Sequence, residues 1–130
     1  MSLNPLTAVS PIDGRYHGKT KALETLFSEY GLIRYRVIVE VRWLQHLSRL
    51  PEITELPALS KQADDFLEAI LNNFDPTQAQ RVKDIEATTN HDVKAVEYYL
   101  TGQLEGLDEL DNIKEFVHFA CTSEDINNLS

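Results

Sequence analysis

Between Leu59 and Phe74 the apolar positions 59, 63, 66, 67, 70, 71 and 74 recur at the spacing of one helical face, and Ser60 stands where an N-cap belongs. That spacing predicts a helix. Asp75-Pro76-Thr77-Gln78 supplies a capping carboxylate, a proline at the first helical position and a Gln three residues after the cap, which together predict a second helix start. Ala79, Val82 and Ile85 continue its apolar stripe, but Thr88-Thr89-Asn90 is poor helix sequence and Asn90 is a good N-cap, so an interruption is expected near 88–91. Val93, Val96 and Leu100 then carry a fresh stripe, expected to stop at Gly102.

Residues 32–50 carry two patterns at once. Ile33, Tyr35, Val37, Val39, Val41 and Trp43 alternate with Arg34, Arg36, Ile38, Glu40 and Arg42, as a strand would. Positions 33, 37, 41, 44 and 47 form an equally good helical stripe, with no Gly or Pro between Gly31 and Pro51. No other segment alternates, so a strand would have no partner, and a helix is expected. Near the C-terminus, Thr122 or Ser123 is an N-cap, with Glu124 and Asp125 in the first turn where negative charge suits the helix dipole. That helix reaches Ser130 without a Gly, Pro or basic last turn, and reads as the start of a truncated element. The fold class expected is all-α.

Composition narrows the function classes. With 12 Lys and Arg against 21 Asp and Glu, the 130-residue chain carries a formal charge of −9 and has the length of about one domain. The 42% apolar and 25% charged fractions are those of a soluble globular protein. Val37-Ile38-Val39 is fenced by Arg36 and Glu40, and no run is long enough to span a bilayer. The first twenty residues lack the apolar core of a secretory signal, and the lone Cys121 closes no intrachain disulfide, so a cytoplasmic protein is expected. A pI near 4.8 argues against nucleic acid as a partner, because phosphate-backbone binding needs clustered Lys and Arg.

Three stretches could carry chemistry. Residues 13–21 hold Arg15, Lys19 and Lys21 against Asp13, a local charge of 3 − 1 = +2, beside Gly14 and Gly18. This is a candidate anion site or a solvated loop leading into a helix near Lys19. Asn90-His91-Asp92 sets an imidazole and a carboxylate at the expected helix break, where Asp92 could orient the His91 ring, or where both could lie on an exposed first turn. His118-Phe119-Ala120-Cys121-Thr122-Ser123 leads an apolar run into hydroxyls at a helix N-terminus, a place suited to a carboxylate or phosphate or simply to capping. Seven acidic residues and one Lys lie between 105 and 125, so a bound carboxylate there would be held by hydrogen-bond donors and not by net charge. The histidines at 17, 46, 91 and 118 show no i, i+4 pairing, so neither a zinc site nor another metal is expected, and Cys121 in its apolar run is not expected to be a nucleophile.

Taken together, Ser10-Pro11-Ile12-Asp13-Gly14-Arg15-Tyr16, Thr88 to Tyr98 around Asn90-His91-Asp92, and Thr122-Ser123-Glu124-Asp125-Ile126-Asn127-Asn128 resemble the three N-terminal motifs of the adenylosuccinate lyases, in the purine-biosynthesis branch of the fumarase/aspartase superfamily. Many members of that superfamily carry Arg where this chain has Asn90; the purine-biosynthesis branch also uses Asn. The resemblance implies a helical N-terminal domain over 1–110, the truncated start of a central helical-bundle domain over 111–130, and a homotetramer. It implies elimination of fumarate from adenylosuccinate, giving AMP, and from the succinyl-carboxamide ribotide of purine biosynthesis, without cofactor. By the same resemblance Arg15 and Tyr16 contact the nucleotide, Asn90, His91 and Asp92 line the pocket with His91 a candidate assisting group, Thr122 and Ser123 bind the succinyl carboxylate, and His118 is a candidate to face the same pocket. The general acid, a histidine, and the general base, a serine on a mobile loop, are implied beyond position 130, so the chain by itself is expected to be inactive. Two other readings are a sister lyase releasing fumarate from a different substrate, and a non-catalytic helical interaction module.

Overall fold

The computed structural model describes residues 4–130, and every regular element among them is helical: α1 (His17–Thr20), α2 (Glu24–Phe27), α3 (Glu29–Leu47), α4 (Lys61–Asn72), α5 (Pro76–Thr89), α6 (Asp92–Leu104), α7 (Asp108–Asp111) and α8 (Ser123–Leu129), with tighter 3-10 turns at Lys21–Leu23 and Lys114–Phe116. The chain divides into two compact units, one up to Leu32 and one from Ile33 to Ser130.

In the first unit the helix expected near Lys19 is broken into short turns, the last of which, α2, ends where Ser28 takes an extended conformation (φ −87°, ψ 170°). Ser28 then caps the next helix, its hydroxyl accepting the Gly31 N–H at 3.1 Å. Gly31 is therefore not a stop, and α3 begins at Glu29. A Cβ on Gly31 would lie 2.9 Å from the Leu26 carbonyl carbon and 3.0 Å from the Thr25 oxygen, so this turn needs glycine.

The second unit is built on α3. Ile33, Val37, Val41, Leu44 and Leu47 are all at most 2% exposed. Tyr35, Val39 and Trp43, which the strand pattern would put on the same face, are only half-buried. The helical period wins because it buries one continuous stripe, each fully buried Leu, Ile or Val contributing about 1.5–3 kcal/mol. Two charged residues lie inside the stripe, Arg36 at 6% and Glu40 at 1% exposure.

The capping signals at Ser60 and Asp75 operate as expected, accepting the Ala63 N–H at 3.1 Å and the Gln78 N–H at 2.9 Å. α5 and α6 pack on each other across the expected break, tied by the Tyr99 hydroxyl donating to Gln78 Oε1 at 3.1 Å. Two boundaries differ. Asn90 is not an N-cap: it closes α5 in the left-handed conformation (φ 52°, ψ 29°), its N–H donating to Glu86 O at 2.8 Å, and His91 is the N-cap of α6. Gly102 does not end α6, because Leu104, 1% exposed, carries the buried i, i+4 stripe one step past Leu100. Gly106 makes the close approach instead, where a Cβ would meet the Phe66 ring at 3.0 Å.

The left-handed Asn90 allows a clean substitution test. Asn90→Gly should leave urea-unfolding stability within about 0.5 kcal/mol of the parent, while Asn90→Ala should lose about 1 kcal/mol, since alanine bears the steric cost of that conformation and glycine does not. Equal losses would show that the Asn90 side chain, not its backbone, holds the turn.

Candidate active site

In the first unit a loop wraps around Gly14. Its N–H donates to Ser10 O at 3.0 Å, and a Cβ would stand 3.0 Å from Pro5 O and 3.2 Å from Ala8 Cβ. Tyr16 N–H donates to Pro11 O at 2.9 Å, and the Thr20 hydroxyl to Ile12 O at 3.3 Å. The buried glycine thus turns Arg15 and Tyr16 outward as a pair, Arg15 Nη2 donating to the Tyr16 hydroxyl at 2.6 Å with its guanidinium 4.6 Å from the ring centroid. An exposed guanidinium stacked beside a phenol presents donors to an anion and a flat face to a base or sugar.

In the second unit His91 is set by the backbone. Its Nδ1 accepts the Lys94 N–H at 3.1 Å, so the neutral ring carries its proton on Nε2. Asp92 does not orient that ring, since the nearest approach, 3.9 Å, is too long for a hydrogen bond. Its carboxylate instead accepts Arg36 Nη2 at 2.7 Å and the Val93 N–H at 2.9 Å. Burial works against ionisation of Asp92, yet the Val93 N–H and the Arg36 guanidinium together hold its carboxyl below its ordinary range.

The same guanidinium reaches the third motif. Arg36 Nε donates to Asn127 Oδ1 at 3.1 Å, so one buried side chain from α3 ties the start of α6 to α8. Among the candidate residues the structure therefore brings Asp92 and the Thr122–Asn128 segment into one framework. Neither Arg36 nor Asn127 was singled out by sequence. The available signal was a cation inside the 33–37–41 helical stripe, which the competing strand pattern hid by placing it outward. Arg36→Met should lower unfolding stability by roughly 1–2 kcal/mol, the upper range for charged hydrogen bonds being discounted because Asp92 is half exposed. Chemical denaturation checks this, and an unchanged midpoint would contradict the tie.

At the N-terminus of α8, Thr122 and Asp125 bond to each other. The Thr122 N–H donates to Asp125 Oδ2 at 2.7 Å and its hydroxyl lies 3.1 Å from the same oxygen. Thr122's donors are thereby engaged within the cap, whereas no partner holds the Ser123 hydroxyl among the described residues. The neighbouring acidic groups are also engaged: Glu109 takes both the N–H and the hydroxyl of Ser60, and Glu105 and Asp111 flank Lys114. Burial, with Glu40 and Asp125 nearby, pushes the Cys121 thiol up, which disfavours the thiolate.

His118 sits on a strained strap. It and Ala120 both have positive φ, 64° and 60°. The strap is pinned to α3 at two points, by Trp43 Nε1 donating to Phe119 O at 2.7 Å and by His118 Nδ1 meeting Glu40 Oε1 at 2.5 Å. A hollow of about 600 Å³ lies beside this strap and is lined by Trp43, Cys121, Ile126 and Leu129 among others. None of the candidate site residues lines it. Its walls are mostly apolar and Arg42, the cation on its rim, is paired with Glu68, so it suits packing better than a polyanion. No helix among the described residues is long and apolar enough to cross a membrane.

The sequence matches the family described as Lyase over residues 14–130, and the chain belongs to that family. Among curated proteins it is similar to the adenylosuccinate lyases of Vibrio cholerae serotype O1, 59% identical, Haemophilus influenzae, 57% identical, and Escherichia coli K12, 57% identical. Each match takes in all 130 residues of this chain and 28% of the relative, so the chain spans little more than a quarter of their length.

Proposed function

We propose that this chain supplies substrate-binding residues of an adenylosuccinate lyase, cleaving adenylosuccinate to AMP and fumarate and the succinyl-carboxamide ribotide of purine biosynthesis to its carboxamide and fumarate. The observation that carries the reading is the identity of 57–59% to enzymes of that name over the whole chain, a span that includes all three motifs. In the reaction a base takes a proton from the succinyl Cβ, the electrons collect on the adjacent carboxylate as an aci-carboxylate, and the C–N bond then breaks as an acid protonates the leaving nitrogen. Residues 1–110 form an N-terminal domain and 111–130 the beginning of a central one, in a cytoplasmic homotetramer whose acid and base come from other segments.

The roles are those the three motifs imply, refined by the local geometry of each. Arg15 and Tyr16 hold the nucleotide. Asn90, His91 and Asp92 line the pocket at the α5–α6 turn, with the Nε2 proton of His91 available to a substrate oxygen. Ser123, more than Thr122, donates to the succinyl carboxylate, and His118 faces the pocket from the strap. The test is fumarate release by a protein of the relatives' full length carrying this chain, offered adenylosuccinate or argininosuccinate. Release from adenylosuccinate alone is expected, and release from argininosuccinate alone would overturn the reading.

A further inference from the structure

Glu40 is an anomaly in the core. It is 1% exposed on the buried stripe of α3, and its Oε2 has no hydrogen-bond partner. A carboxylate so placed is costly unless the bond it does make serves a purpose. That bond runs from Oε1 to His118 Nδ1 at 2.5 Å, across 78 residues of sequence. His118 itself holds a backbone conformation (φ 64°) that a non-glycine residue adopts only when its surroundings impose it. The other groups facing Glu40 do not replace this contact: Glu97 is a second carboxyl group tied to Lys94, and burial pushes the Cys121 thiol up. Burial pushes the Glu40 carboxyl above its ordinary value, which the hydrogen bond and charge of His118 oppose.

We propose that Glu40 is the positioning residue for His118, accepting its Nδ1–H so that the ring is locked in one orientation with Nε2 directed to the substrate. A buried acceptor on Nδ1 selects both tautomer and ring angle, as carboxylates do for working imidazoles elsewhere. His91 accepts at Nδ1 from a backbone N–H and so presents a proton at Nε2; with Glu40 accepting from its Nδ1, the His118 ring instead has a lone pair to present at Nε2, a division of labour between the two imidazoles that follows from the proposal. The inference rests on the reading that His118 faces the substrate pocket.

The test uses the full-length protein labelled with ¹⁵N-histidine, with the His118 signals assigned by their loss in His118→Asn. A protonated Nδ1 is expected on His118 in the parent protein, and a bare Nδ1 overturns the proposal whatever the variants do. Glu40→Gln should lower kcat about tenfold with KM little changed and mix the His118 tautomers, and Glu40→Asp should recover part of the loss, in line with substitutions of groups that orient a working imidazole. If Glu40→Gln leaves tautomer and kcat unchanged while His118→Asn abolishes turnover, the positioning role fails and the pocket reading stands. If His118→Asn itself turns over normally, the pocket reading for His118 fails and the proposal falls with it. Should Glu40→Gln not fold, the tautomer of the parent protein decides alone.

Discussion

Ser123→Ala in the full-length protein is expected to lower kcat by about a hundredfold or more while KM changes only a few-fold, because an oxyanion donor is worth about 3 kcal/mol and acts where charge develops. The succinyl carboxylate gains charge as the Cβ proton leaves, so a hydroxyl aimed at it binds the aci-carboxylate more tightly than the substrate. Thr122→Ala should behave differently. Its N–H and hydroxyl already meet Asp125, so its loss should appear first in the stability of α8, at about 1 kcal/mol, with a smaller effect on turnover. Steady-state kinetics with both substrates, set beside unfolding curves, separate the two. A pure KM effect in Ser123→Ala would remove Ser123 from the carboxylate site.

Arg15→Ala should weaken substrate and AMP binding by about 1.5–3 kcal/mol, the worth of a hydrogen bond to a charged group, with little change in kcat. The phosphate keeps its charge throughout the elimination, so the guanidinium contributes equally to ground and transition states and its loss raises KM. Arg15→Lys should recover only part of the affinity, because an ammonium cannot both bond the Tyr16 hydroxyl and offer a planar fork to phosphate. An unchanged KM together with unchanged inhibition by AMP would remove Arg15 from the nucleotide site.

Local physics made much of this molecule legible in advance. Caps at Ser60 and Asp75, the proline at the first position of α5 and the break near 88–91 depend on neighbouring residues alone, and each appears where its chemistry requires. Asn90 and Gly102 were misread for a shared reason. Whether an Asn starts or closes a helix, and whether a Gly ends one, depends on which flanking residues find a core, and only tertiary packing decides that. Arg36 and Glu40 were missed for a stronger form of the same reason. Their partners lie 56 to 91 residues away, and no spacing rule reaches that far. The candidate pocket residues were legible through motifs, while the side chains that hold those motifs were not.

The two hydrogen bonds made by Arg36 have a consequence for anyone mutagenising this protein at random. Because a single codon governs the anchorage of both Asp92 and Asn127, lesions at that codon should mimic defects in two distant motifs at once. Suppressors of such lesions would be sought near either motif, at sites that look unrelated on a linear gene map.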